Sequence, residues 1–297
     1  MPNRRGVLFL NPSSGAKLPV TDVSALESAA RDGGLDVIRI AKGVDVAAVI
    51  REQMRLGLNL FVAAGGDGTI NAVIQPLINS EATLGVVPVG TFNHFARDLG
   101  LPLHWRDALD VVFSGDTRQV DAARVNERFF VNNVSIGLYP ELVARREERG
   151  RDYPRWKARI YAAFATLRKY PHVTLAVESD YLNEILRTHV FVVSNNSYDL
   201  SRLGVETPRA TLEEGRLSVY WLPHMPRIAL ARFLAQYLAG RRKNTPGFRS
   251  FRTVRVRVQS THKRLHIGID GEVFSMAPPL VITIVPKSLL VKVHREG

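Results

Sequence analysis

The chain has 297 residues and no cysteine, and 45% of its residues are hydrophobic. Its length exceeds what one hydrophobic core usually fills, so we expect two domains, and the absence of cysteine excludes disulfides and thiol chemistry. No apolar run has the length of a bilayer span, and the N-terminus lacks the apolar stretch of a signal peptide, so we expect a cytoplasmic protein. The net charge of +12 favours an anionic partner, namely nucleotide, nucleic acid or an anionic membrane surface, although it could also serve solubility alone.

Apolar runs and amphipathic segments alternate in the first part of the chain. They predict strands at 6–10, 35–40, 60–64 and 84–87, and helices at about 21–31, 44–56, 69–78 and 105–113. Thr21 or Asp22 is the predicted cap of the first helix. This alternation is typical of a parallel sheet, in which ligands bind at the carboxyl ends of the strands.

Three of these predicted strands end in turns rich in glycine, hydroxyl and amide groups. The turns begin at Asn11, Gly65 and Gly90. Glycines let the backbone approach a bulky anion, and the N–H groups that open a following helix favour phosphate. Arg97 adds a cation suited to phosphate oxygens. Because carboxyl ends of parallel strands share one edge of the sheet, we expect the turns to form one anion pocket.

Beyond Val120 the pattern changes to short strands separated by turn residues. The predicted strands are 121–125, 128–134, 172–178, 187–194, 216–221, 251–258, 265–269 and 280–285. They indicate a β-rich second domain, an antiparallel sandwich or barrel, with helices at about 154–169 and 228–238. We expect domains at 1–120 and 121–286, and residues 287–297 can return to the first.

Basic residues are concentrated in the second half of the chain. The segment 145–169 mixes arginine and lysine with aromatic residues, which suits an anionic membrane surface. The same pattern is equally compatible with a helix that packs on the sandwich and leaves its cations in solvent. The cations at 241–243 and 252–257 indicate an exposed strand face, with nucleic acid as the less favoured partner.

Five motifs in order resemble the bacterial diacylglycerol kinase-like lipid kinases, which share a catalytic domain with sphingosine and ceramide kinases. The motifs are NPSSG (11–15), GGDGT (65–69), VGTFNHFARDLGLP (89–102), NNVSIGLYP (132–140) and GIDGE (268–272). A lone GGDG loop also occurs in NAD kinases and phosphofructokinases, so the resemblance rests on the order of all five. The glycines fit neither a Walker A loop nor a dinucleotide fingerprint.

The resemblance implies an α/β nucleotide-binding domain of the NAD kinase and phosphofructokinase type, followed by a β-rich lipid-binding domain, with the active site in the cleft between them. It implies ATP-dependent phosphorylation of a lipid hydroxyl with Mg²⁺. Together with the basic residues, it predicts a peripheral protein that acts at an anionic membrane surface, and the oligomeric state stays open, with a homodimer as one possibility. Two alternatives stay open, a soluble-substrate kinase of the NAD kinase type and a non-catalytic lipid- or nucleic-acid-binding relative.

The resemblance also assigns residues. The positions that match the family's nucleotide contacts are Asn11, Gly65, Gly66, Asp67, Gly68, Thr69, Asn71 and Thr91. Asp67 is the acid nearest the phosphates and is expected to bind metal or orient the reacting groups. Glu272 matches the family's proposed general base, although its Asp-Gly-Glu segment alone reads as a plain hairpin turn.

Other positions carry alternatives. Asp121 matches an acid near the family's site but could be a strand-end cap. Beside Asn93, His94 stands where many relatives have aspartate. An imidazole cannot replace a carboxylate, so either another acid compensates or the substrate or the rate differs from those of the relatives, and a histidine that only packs near the loop is the alternative. Glu214, with the Arg216 carbonyl, stands where the family has a structural Mg²⁺ site, and an exposed acidic turn is the alternative.

Overall fold

The computed structural model describes residues 5–12, 19–41, 43–137, 172–197, 212–224, 226, 229 and 249–295. Several predicted features lie outside this part of the chain. They are the second half of the NPSSG turn (13–15), the end of the NNVSIGLYP motif (138–140), the segment 145–169 with its predicted helix, the helix at 228–238 except residue 229, and the cations at 241–243.

The first part of the chain alternates strands with helices. These elements are β1 (Gly6–Leu10), α1 (Val20–Asp32), β2 (Leu35–Arg39), α2 (Val46–Arg55), β3 (Leu60–Gly65), α3 (Asp67–Ile74), β4 (Thr83–Pro88), α4 (His94–Asp98) and α5 (Trp105–Ser114). Every strand and helix predicted here is present with slightly shifted ends, and the short helix α4 is an addition. The predicted cap of α1 is wrong, because the helix begins at Val20 after Pro19 and has no side-chain cap.

The remaining described elements are strands. They are β5 (Asp116–Val125), β6 (Arg128–Phe130), β7 (Asn133–Gly137), β8 (Val173–Ser179), β9 (Asn183–Ser194), β10 (Leu217–Pro223), β11 (Arg249–Thr253), β12 (Arg255–Gln259), β13 (Leu265–Ile269), β14 (Glu272–Met276) and β15 (Leu280–Val293). The chain forms two compact units, residues 1–122 with 285–297 and residues 123–284. It leaves the first unit within β5 and re-enters it within β15.

The first unit contains a parallel sheet in the order β2-β1-β3-β4, extended by the C-terminal part of β15. The strands β1, β3 and β4 are almost wholly apolar, as is typical of a parallel sheet whose two faces are covered by helices. Leu8 and Leu10 of β1 share a core cluster with Leu26 of α1 and Leu109 of α5. The loops at the carboxyl ends of β1, β3 and β4 therefore rest on a rigid, close-packed base.

An ion pair ties α1 to the edge strand β2. The Glu27 carboxylate is only 7% exposed and accepts a hydrogen bond of 2.5 Å from Nε of Arg39, and Arg31 lies 3.6 Å away. The bond from Arg39 lowers the pKa of Glu27 below its usual value, against the opposing effect of burial, and the nearby positive charges act in the same direction as the bond. The pair thereby fastens a strand that, within the described part of the chain, has a sheet neighbour on one side only.

The second unit is antiparallel. β7 lies between β13 and β9, β9 also pairs with β8 and β10, and β12 joins β8 to the N-terminal part of β15. Residues that alternate along these strands, such as Val134 and Ile136 on β7 and Phe191 and Val193 on β9, form one apolar core. Among the described residues, none of the helices combines the length and hydropathy that a bilayer crossing requires.

Two predicted strands are divided in the structure. The segment 251–258 breaks at Val254, because Thr253 Oγ1 bonds the backbone N–H and carbonyl of Arg255 across it. The segment 128–134 breaks at residues 131–132, whose N–H groups donate to the carboxylate of Asp270. In both places a side chain bonds backbone groups that a continuous strand would have paired. Strand β14 was not predicted from the sequence.

Candidate active site

The loop from β3 to α3 is built for close approach to an anion. Gly66 precedes the helix in an extended conformation and, having no side chain, caps none of the N–H groups that open α3. A side chain at Gly65 would overlap Thr69, so only glycine allows the loop to turn back on the helix. The first turn closes through a bond of 3.0 Å from the Ile70 N–H to the Gly66 carbonyl.

The three predicted loops lie in contact. Asn11, after β1, donates through Nδ2 to Thr69 Oγ1 at 3.1 Å, and its backbone N–H donates to Ala64 at 2.9 Å. Gly90, after β4, passes so close to Gly66 that a side chain there would overlap the neighbouring backbone. The predicted meeting of the loops at one edge of the parallel sheet is therefore present.

Asp67 links two of these loops. It is half-buried in the first turn of α3, and its Oδ1 accepts a bond of 3.4 Å from the Phe95 N–H at the start of α4. A carboxylate at this position complements the positive end of the α3 dipole. The side chain thus brings one negative charge to the edge of a loop that is otherwise lined by backbone and small side chains.

The loop after β4 is held in shape by its own side chains. Asn93 is buried in the left-handed conformation, at φ 51°, and its amide bonds both backbone groups of Gly90, at 3.0 Å and 3.1 Å. Nε of Arg97 donates to the Phe92 carbonyl at 3.0 Å. Asn93 and Arg97 therefore organise this loop through contacts that the structure shows directly.

Two other members of the same loop face solvent. Thr91 is exposed, and the exposed ring of His94 stacks on Phe92 with a centroid distance of 5.6 Å. Asn71 is different, because it is buried one turn into α3 and its Oδ1 accepts a bond of 3.1 Å from Gln75. The Asn71 side chain is therefore held within α3, while Thr91 lies open at the surface.

Asp121 lies inside β5 and not at a strand end. It is 2% exposed, and its Oδ1 accepts a bond of 2.8 Å from the backbone N–H of Lys287, which has the left-handed φ of 49°. Ser288 bonds the Val285 carbonyl at 2.8 Å and closes the same bend of β15. The described contact of Asp121 therefore stabilises the place where β15 bends.

Glu272 is the first residue of β14 and is exposed. It directly follows a two-residue turn in which Asp270 has φ 46° and Gly271 has φ 90°, and it pairs across the hairpin with Ile269. Positive φ at both turn positions is the type I′ geometry that Asp-Gly favours. The backbone is thus that of a hairpin, as the plain-turn alternative described it, and the turn presents Glu272 at the surface.

The turn that carries Glu272 is fixed from below by Asp270. This carboxylate is 4% exposed and accepts bonds of 2.9–3.0 Å from the N–H groups of Val131, Asn132 and Asn133. From its Asp-Gly sequence, Asp270 was predicted only as a turn residue. Its buried contacts join residues far apart in sequence, and no local pattern could have revealed them.

Glu214, which was predicted to bind a structural metal ion, is paired with an arginine in the structure. The Glu214 carboxylate forms a close ion pair with Arg252, and Gly215 takes a left-handed φ of 62° between Glu214 and Arg216. Across the described parts of the chain, no group of three or more histidine, aspartate or glutamate side chains is arranged to hold a metal ion. Glu214 therefore has a described role in joining its turn to β11.

Comparison with known proteins covers almost the whole chain. Residues 5–125 match the model of the diacylglycerol kinase catalytic domain, and residues 133–293 match the YegS C-terminal NAD kinase beta sandwich-like domain. The chain is 26% identical to a diacylglycerol kinase of Bacillus subtilis (strain 168) over 93% of its own length and 92% of the relative. It is 35% identical to the lipid kinase YegS of Escherichia coli (strain K12) over 44% of this chain and 45% of the relative.

The fold is shared with solved structures. A crystal structure of a diacylglycerol kinase from Bacillus anthracis str. Sterne superposes with a TM-score of 0.72, over 98% of this chain and 97% of that one, at 18% identity. A parallel α/β unit followed by a β-sandwich unit is therefore the arrangement of the elements along the chain, as the sequence predicted.

Proposed function

The chain belongs to the family of kinases defined by the diacylglycerol kinase catalytic domain, and we propose that it transfers the γ-phosphate of ATP to a hydroxyl group of a diacylglycerol-like lipid. The resemblance read from the five motifs is thereby confirmed at the level of the family. The observation that carries the proposal is the contact of three loops around the uncapped start of α3, through the Asn11–Thr69 bond and the close passage of Gly90.

The nucleotide phosphates would lie against the loop of Gly65, Gly66 and Gly68. There the backbone N–H groups at the start of α3 would face the phosphates, and the helix dipole favours negative charge. Asn11, Thr69 and Thr91 would add amide and hydroxyl groups from three strand ends. These donors bind ATP without reacting, which suits phosphoryl transfer because its catalysis consists mainly of positioning and charge stabilisation.

Asp67 is the residue that fits a magnesium ion. Mg²⁺ bound to nucleotide phosphates usually takes only one or two protein carboxylates, and Asp67 supplies one beside the loop. Glu214 does not fit, because Arg252 already neutralises its carboxylate. When bound, Mg²⁺ would offset the charge on the oxygens of the transferred phosphoryl group.

Glu272 would act as the general base. Its carboxylate would accept the proton of the lipid hydroxyl as that oxygen forms a bond to the γ-phosphorus and the bond to the ADP oxygen breaks. A well-placed general base contributes about 10²–10⁴-fold to rate. An exposed glutamate on a rigid hairpin is suited to this role, since a bulky acceptor can reach it.

The acceptor side of the proposal includes the membrane. The net charge of +12 favours an anionic surface, and exposed cations of the second unit include Arg249, Arg255, Lys263 and Arg264. We expect a peripheral kinase at the cytoplasmic face of a membrane. The proposal predicts activity that rises when anionic lipid is added to neutral vesicles and falls with salt.

The test uses purified protein, γ-labelled ATP and Mg²⁺ with anionic vesicles that contain diacylglycerol, and NAD in a parallel reaction. We expect labelled lipid with the wild type, about 100-fold less with Glu272→Gln, and an unchanged rate with the control Glu184→Gln, an exposed residue of β9. Label in NAD and not in lipid would overturn the acceptor class. Equal labelling by wild type and Glu272→Gln would overturn the choice of base.

A further inference from the structure

The Asp270 carboxylate accepts more hydrogen bonds than a hairpin turn requires. Its Oδ2 accepts from the Val131 N–H at 3.0 Å, and its Oδ1 accepts from Asn132 and Asn133 at 2.9 Å and 3.0 Å. Three successive backbone N–H groups form a concave anion site, here filled by a side chain of the same unit. Bonds to a carboxylate are stronger than neutral ones, so this contact is a firm anchor.

The anchor lies two positions before Glu272 in the chain. Asp270 and Gly271 are the two turn residues, Glu272 follows directly, and the backbone N–H of Asp270 also donates to the Asn133 carbonyl at 3.0 Å. Any displacement of Asp270 therefore moves the backbone that carries Glu272. The end of the hairpin is therefore held through both the backbone N–H and the side-chain carboxylate of Asp270.

The turn between β8 and β9 in the same unit is anchored differently. There Ser179 Oγ accepts from the N–H groups of Tyr181 and Leu182 at 3.2 Å and 2.9 Å, and the Asp180 carboxylate accepts from the side-chain hydroxyl of Thr253. The Asp270 carboxylate instead accepts from three successive backbone N–H groups, which precede it by 137 to 139 positions. A turn needs only local bonds to form, so the long-range bonds serve to place the turn relative to β7.

We propose that Asp270 is a positioning residue that holds Glu272 in its reactive place by clamping the β13–β14 turn to residues 131–133. The inference rests on the proposed role of Glu272 as the general base. In this role Asp270 needs no contact with the substrate or with the transferred proton. Its effect on rate passes through the location of the Glu272 carboxylate, for which an error of about 1 Å can cost about 100-fold.

The turn allows variants that remove the clamp and keep the hairpin. Asn-Gly and Gly-Gly both suit a type I′ turn, so Asp270→Asn and Asp270→Gly retain the backbone conformation. Glycine removes all three acceptor bonds, whereas asparagine removes the charge and at least one bond. We expect kcat to fall about 100-fold in Asp270→Gly and less in Asp270→Asn, with the KM for ATP unchanged.

The decisive measurement repeats both substitutions in the Glu272→Gln background. If Asp270 acts through Glu272, the residual rate of Glu272→Gln is unchanged by the second substitution, because there is no longer a base to place. Multiplication of the two losses, or an unchanged kcat in the single variants, would overturn the proposal. Ser179→Ala is the control, for which we expect lower thermal stability and the wild-type kcat.

Hydrogen exchange tests the clamp separately from activity. We expect the amides of residues 131–133 to exchange at least tenfold faster in Asp270→Asn and Asp270→Gly, and at the wild-type rate in Ser179→Ala. Unaltered protection of these amides would overturn the clamp. Faster exchange together with an inactive wild type would instead overturn the proposed function, because the clamp would exist without the reaction that it was inferred to serve.

Discussion

The candidate site of the first unit is assembled from neighbours along the sheet, whereas that of the second unit depends on contacts between distant parts of the chain. Asn11, Thr69 and Gly90 meet because β1, β3 and β4 are adjacent parallel strands that end at one edge. Asp270 meets Asn132 because β13 pairs with β7. One arrangement follows from a repeated βα pattern, and the other follows from a particular strand pairing.

The two regions also use different chemistry. The first presents backbone N–H groups, glycines and small polar side chains, with a single carboxylate in Asp67. The second presents one exposed carboxylate, Glu272, on a turn held by a buried one, Asp270. The first is suited to binding phosphate and the second to taking a proton, and substitutions in the two regions should therefore change different kinetic parameters.

Asp67→Asn should give the largest effect in the first region. Asparagine keeps an oxygen for the Phe95 N–H and removes the charge, so we expect kcat to fall about 100-fold and the Mg²⁺ concentration for half-maximal rate to rise. Glu272→Gln should leave that Mg²⁺ dependence unchanged. Asp110→Asn, at an exposed site on α5, is the control. If Asp67→Asn reached half-maximal rate at the wild-type Mg²⁺ concentration, the assignment of Mg²⁺ binding to Asp67 would be wrong.

Gly90→Ala tests the packing of the loops. The added methyl group would overlap the Gly66 backbone and the Asn93 side chain, so we expect a loss of about 1–3 kcal/mol in unfolding free energy and a KM for ATP raised about tenfold. Gly57→Ala strains a left-handed residue before β3 without any neighbour in the way. It should lower stability and leave the KM for ATP unchanged. Equal KM values for ATP in the two variants would show that ATP binding does not depend on the contact between the loops.

Glu27→Gln should have the smallest effect and none on the site. The folded-state pKa of Glu27 is lowered by Arg39, so the ion pair stabilises the protein above the usual glutamate pKa of about 4.3, and this stability is lost as pH falls through the folded-state pKa. At pH 7 we expect a loss of about 1 kcal/mol by thermal or denaturant unfolding, with unchanged kcat. The gap between variant and wild type should close on acidification, and a gap that is constant with pH would argue against the ion pair.

Sequence reasoning succeeded where the structure is local. Strand β1 was predicted with its observed ends, and the three polar loops were predicted to meet, since hydrophobic periodicity and parallel order suffice for both. The predicted ends of strands were wrong where a residue distant in sequence bonds the backbone. The strand predicted at 128–134 divides because Asp270 takes its N–H groups, and a helix cap expected at Thr21 or Asp22 lies inside a helix that begins after Pro19.

The sequence by itself determined the family, the order of the elements and the identity of the polar loops, because these depend on short motifs and on patterns of a few residues. Only the tertiary structure decided that Asp270 is buried beneath residues 131–133, that Asp121 stabilises the bend at Lys287, and that Glu214 is paired with Arg252. Each of these contacts joins residues brought together by strand pairing or chain return. A carboxylate looks the same in sequence whether it meets solvent, a cation or three backbone N–H groups, and only the fold distinguishes them.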